Sequence, residues 1–163
     1  MIESVHDWRW LLYALLAAAA LSDIRTMRIP NAMPLGVVGA LIVTLAANSA
    51  PAEDYAAAAL SGLIGLGVGY LFFTLRIMGG GDGKLFAATA CWFGAGALLG
   101  LGLWISIAGL FVGLAALAAR ALRARASSAE GGGSVVSALK APAPYGVAIA
   151  LGSVFAAEAP LFG

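Results

Sequence analysis

The sequence predicts an all-α integral membrane protein with about six transmembrane helices and its N-terminus outside. Three observations carry this reading. Of the 163 residues, 62% are hydrophobic and only 10% charged, and the mean hydropathy is +0.97. A soluble domain carries about 25% charged and 45–50% apolar residues, so a water-soluble fold of this composition has no means of covering its surface. Uncharged runs of near-spanning length recur along the chain, and the cations gather in alternate loops between them.

The first run is Trp10 to Ser22, extending toward Trp8 and Asp23. Its alanine-rich end before Ser22 invites a signal-peptide reading. The preceding flank holds Glu3 and Asp7 against Arg9 alone, whereas a signal peptide has a positive flank, so the run is a retained first helix. The second span is Met33 to Ala47 and the third Tyr55 to Leu75. The apolar run Leu85 to Ala119 follows. As one helix it would measure about 50 Å against a hydrocarbon core of about 30 Å. Glycines 94, 96, 100 and 102 offer a turn, which predicts a hairpin of two shorter helices. The last span is Pro144 to Ala157.

Charge tests this count. If the loops after spans one, three and five are cytoplasmic, they hold Arg25, Arg28, Arg76, Lys84, Arg120, Arg123, Arg125 and Lys140, leaving only Arg9 outside. That asymmetry is what the positive-inside rule requires. A single long helix over 85–119 would put the arginine cluster on the wrong side. The chain is therefore expected to be one polytopic domain over residues 1–163. Segment 120–141, basic and then rich in Ser and Gly, is expected to be a flexible cytoplasmic loop. The lipid bilayer is an implied partner. Nucleic acid is not, because no basic stretch is interleaved with exposed aromatics. Cys91 stands alone in an apolar run, with no paired-cysteine metal spacing. No metal or cofactor is expected.

Two of the eight acids differ from the rest in context. Asp23 closes the first span, and Asp82 lies in Gly79-Gly80-Gly81-Asp82-Gly83-Lys84, between the third and fourth. The topology places both on one membrane face at similar depth. Two carboxylates close together in a poorly solvated site cannot both ionise cheaply, so one keeps its proton. Such a pair supplies a base to activate water and an acid to protonate a leaving amine. Glycines 79, 80, 81 and 83 leave a backbone free to take positive φ and to approach an extended ligand closely. Pro30 and Asn31 punctuate the start of the second helix, with Pro34 in its first turn. These residues also admit plainer readings. Asp23 would pair with Arg25 or Arg28, and Asp82 would pair with Lys84 or cap the next helix. Membrane acids also serve small transporters and proton relays.

Asp23 with Ile29-Pro30-Asn31, the Gly79-to-Lys84 run, and Pro142-Ala143-Pro144-Tyr145-Gly146 appear in an order that resembles the prepilin peptidases, membrane aspartic proteases with a Gly-x-Gly-Asp motif. The resemblance implies that Asp23 and Asp82 are catalytic. It also implies that short, positively charged leaders are cut, at the cytoplasmic face of the inner membrane, from pilin-like precursors that carry a hydrophobic helix just beyond the cut. Gly79, Gly80, Gly81, Gly83, Lys84, Pro30 and Asn31 would then bind substrate or shape the site. Larger bacterial members carry an extension with paired cysteines and also methylate the new amino terminus. No such insertion is present here, so neither methyl transfer nor zinc is expected. The short form resembles the peptidases of tight-adherence (Flp-type) pili or the archaeal preflagellin peptidases, and the former is favoured. Rival readings are a more general intramembrane aspartic protease, a proton-coupled transporter and a non-catalytic assembly subunit. A transporter would more naturally set its acid at mid-membrane between paired repeats.

Overall fold

The computed structural model describes residues 1–128 and 144–159, and among these all regular structure is helical. A 3₁₀ turn, Glu3–Trp8, leads into α1 (Arg9–Thr26), followed by α2 (Ala32–Ala47), α3 (Ala52–Thr74) and α4 (Gly80–Ala90). A second 3₁₀ turn, Ala95–Ala97, precedes α5 (Leu98–Ser128), and α6 is Tyr145–Glu158. The first three uncharged runs and the last map onto α1, α2, α3 and α6 to within a few residues, and the run 85–119 onto α4 and α5.

The hairpin within 85–119 is present, with its turn at Gly94, whose φ of 73° suits a residue without Cβ. Its arms are unequal. The first, α4, has 11 residues and rises about 16 Å; the second has 31 and rises about 46 Å. Helix α5 runs on to Ser128, which corrects the expected loop over 120–141. Alanine, leucine and arginine dominate 114–126 and are all strong helix formers. The remainder of that segment, 129–141, lies outside the described residues.

Short α4 is the centre of the bundle. Gly83 and Leu85 to Ala90 are all buried, as expected of a helix that is apolar all round. It packs against α2, α3 and α6, while α5 pairs with α6, and α6 with α1. Small residues set these contacts. A Cβ on Gly69 of α3 would lie 2.8 Å from the Gly83 carbonyl oxygen, and one on Gly65 would lie 2.8 Å from the Ala90 Cβ. A Cβ on Gly152 of α6 would lie 2.5 Å from the Ile105 Cα of α5. Both pairs run antiparallel with backbones touching, the packing that small residues permit between helices in lipid.

The outer surface is apolar. Leu63, Leu99 and Phe111 are 68%, 76% and 66% exposed. Inside, the buried Thr44, Ser61, Thr89 and Ser153 hydroxyls each donate to the carbonyl four residues earlier on their own helix, so they need no outside partner. Among the described residues two helices, Ala52–Thr74 and Ala95–Arg123, are long and apolar enough to cross a membrane, and Ala32–Ala47 and Tyr145–Glu158 are shorter apolar helices. Trp92 belongs to the core. It is fully buried, and its indole N–H donates to the Val37 carbonyl at 3.1 Å. An indole goes inside when its single donor finds an acceptor there.

Candidate active site

Chain direction alone puts four features at one end of the bundle: the C-terminus of α1, the α1–α2 loop, and the N-termini of α4 and α6. Asp23 sits in the last turn of α1 and is 5% exposed. Its Oδ2 accepts the Gly146 backbone N–H at 2.8 Å. Gly146 is the second residue of α6, so its N–H is among the donors a helix start leaves without an internal partner. Helix α1 stops at Thr26, three residues after Asp23. Met27 takes a left-handed φ of 51° and donates to the Asp23 carbonyl at 2.7 Å, closing the helix behind the acid.

Asp82 is the third residue of α4 and partly buried. Its Oδ2 accepts the Gly79 backbone N–H at 3.2 Å, the carboxylate half of a capping box. The helix-capping role available to a lone Asp-Gly is thus present. The two carboxylates share a design, each held by one backbone donor at the start of a helix, where the aligned peptide dipoles favour negative charge. The Asp82 carboxyl is nevertheless raised to about 6, first by burial and then by the charge of Asp23, against the opposing Gly79 hydrogen bond. Asp23 is therefore close enough to act on it through space.

Ile29 wedges the two halves together. A Cβ on Gly81 would lie 3.2 Å from the Ile29 Cβ, and one on Gly146 would lie 3.1 Å from the Ile29 Cδ1 and 3.0 Å from the Asp23 Oδ2. The glycines around Asp82 thus act through close approach, not through positive φ. Gly79 is extended (φ −69°, ψ 151°), and Gly80 to Gly83 form the first turn of α4. A Cβ on Gly79 would lie 2.7 Å from the Asp82 Oδ2, and one on Gly80 would meet the Phe73 ring at 3.5 Å. Gly83, expected beside the others at the site, is buried against Gly69 and serves the α3–α4 contact.

Lys84 is exposed and donates from Nζ to the Asn31 Oδ1 at 3.0 Å, tying the α4 start to the α2 start. Pro30 is exposed in the connecting loop. Sequence reasoning registered Gly146 only as part of a helix-opening motif. Its use as the Asp23 donor was signalled by the proline before it, since a helix beginning there has spare N–H groups. The roles of Ile29 and Gly69 had no such signal.

Fold and site together define a helical membrane protein with two acids, Asp23 and Asp82, at the same end of its bundle. The type IV leader peptidase family matches residues 10–114, a segment that contains both aspartates. The chain belongs to that family. A prepilin leader peptidase/N-methyltransferase from Dickeya chrysanthemi is 35% identical over 105 residues, which cover 61% of this chain. The chain spans 37% of that relative's length. No solved structure matches.

Proposed function

We propose that the protein is an aspartic endopeptidase that removes the short leader from pilin-like precursors at the cytoplasmic face of the inner membrane, with Asp23 and Asp82 as its catalytic pair. The observation that carries this reading is the pairing itself. Two acids 59 positions apart in the chain lie within electrostatic reach, and burial together with the charge of Asp23 raises the Asp82 carboxyl to about 6. In the reaction the ionised carboxylate takes a proton from water as its oxygen attacks the scissile carbonyl. The protonated carboxyl then gives its proton to the departing nitrogen as the C–N bond breaks. The shared proton belongs to the pair. The products are a free leader carboxylate and a new amino terminus on the membrane-anchored part.

Orientation follows from charge. The site end bears Arg25, Arg28, Arg76 and Lys84, whereas the opposite end bears Glu3, Asp7, Glu53, Asp54 and Glu158 with Arg9. The positive-inside rule puts the site in the cytoplasm and the N-terminus outside. In this topology all six helices count as crossings, the fourth beginning at Leu85 so that Asp82 stays outside the spanning segment. The test is reconstitution of the purified protein in vesicles with a pilin-like precursor. The wild type cuts it, and Asp23→Asn and Asp82→Asn each abolish cutting while remaining folded. Undiminished cutting by either variant refutes the pair.

A further inference from the structure

Two grooves expose the central helix to the surroundings. One, of about 710 Å³, runs between α3 and α5, floored by Phe86 and walled by Ile64 and Phe72 on one side and Leu103 and Leu110 on the other. The second, of about 660 Å³, lies between α2 and α3 and includes Leu63, Cys91, Asn31 and Lys84. From Leu99 to Leu110 the first groove follows α5 for about 17 Å, three turns of helix. It is lined almost wholly by apolar side chains.

The grooves differ in how they meet the candidate site. The first ends at Met78 and Tyr145. These residues immediately precede Gly79 and Gly146, whose N–H groups hold Asp82 and Asp23. It therefore borders both halves of the site. The second includes neither Met78 nor Tyr145, and the Lys84–Asn31 hydrogen bond joins two of its lining residues at the site end. Of the two grooves, the first is the apolar one that borders both acids' backbone donors, and so the one open to a chain cut there and continuing into the bilayer. We infer that the groove between α3 and α5 is the docking site for the apolar helix that follows the cut in the membrane-anchored substrate. This rests on the peptidase reading above and adds to it the path of the substrate. Gly102 lowers the α5 wall, since a Cβ there would have nothing within 4 Å, and a partner helix packs most closely against such a residue.

Adjacent residues of α3 separate the grooves: Ile64 lines the first and Leu63 the second. The experiment places a photoreactive side chain at either position in the Asp82→Asn protein. This is reconstituted with a precursor made of a short leader and one apolar helix. Irradiation is expected to crosslink the precursor's apolar segment from position 64 and not from 63. Crosslinks from 63 instead, or only lipid adducts from 64, overturn the groove assignment while wild-type cleavage still upholds the peptidase reading. If the wild type cuts no precursor, both fall together. As a second arm, Gly102→Trp is expected to raise KM for the intact precursor about tenfold, with kcat kept on a soluble peptide that spans the cut and lacks the apolar segment. Equal losses on both substrates contradict the assignment.

Discussion

The two ends of the bundle are built to different ends from the same helices. At the end away from the site, polar groups find partners across the fold. The Ile2 N–H donates to the Trp92 carbonyl at 3.0 Å, and Ser4 hydrogen-bonds Asp54. Glu158 receives Arg9 at 3.1 Å and the Tyr13 hydroxyl at 3.0 Å. The Trp104 indole stacks on Phe155 and donates to the Ala159 carbonyl. At the site end, Asp23 and Asp82 have one backbone donor apiece. One end uses charge to join elements; the other holds two acids within electrostatic reach of each other, which raises the Asp82 carboxyl.

Breaking either acid gives the largest difference. Asp23→Asn and Asp82→Asn are each expected to lower kcat/KM by about a thousandfold or more, the scale of a lost general acid or base, read as cleavage of a reconstituted precursor. Next is Gly146→Ala, whose new Cβ would press on both Asp23 and Ile29 at about 3.0 Å. Displacing a carboxylate by a few tenths of an ångström is expected to cost about tenfold in rate, with the protein still inserted in the membrane.

The pH profile sharpens the contrast. With the Asp82 carboxyl raised to about 6, the pair loses its shared proton as pH rises through that value. The kcat/KM of the free enzyme is expected to fall on the alkaline side of about 6. Stability follows the same proton. A carboxyl whose folded pKa lies above its unfolded value favours folding most at low pH, and that stabilisation is lost as pH climbs from about 4 to about 6. Asp82→Asn is therefore expected to melt higher than the wild type above pH 6, with the gain vanishing near pH 4. The smallest effect is at the other end. Glu158→Gln weakens a half-exposed ion pair worth at most about 1 kcal/mol, so melting shifts slightly and cleavage is unchanged.

Much of the fold was legible because lipid imposes long uncharged runs. Met33–Ala47 and Pro144–Ala157 anticipate α2 and α6 to within a residue or so. The unequal hairpin was less legible, since apolarity alone does not distinguish an 11-residue core helix from half of a longer span. The burial of Trp92 was not legible either, since tryptophan is common at membrane interfaces and only the Val37 carbonyl explains its place inside. At the site, Asp23 and Asp82 stood out as acids at span ends. Their partners did not, because backbone N–H groups carry no sequence label. The glycines beside Asp82 were visible as a group, yet Gly83 belongs to a helix contact with Gly69 that only the packing shows.

Titrating Asp82 itself tests the pairing of the two acids most directly, by carboxylate infrared or carbon NMR signals in the wild type and in Asp23→Asn. The expected apparent pKa is about 6 in the wild type. Neutralising residue 23 should move it down toward the ordinary carboxylate range, with burial holding it partway. An unchanged titration in Asp23→Asn would mean that the two side chains do not sense each other, and the paired-carboxylate account would fail.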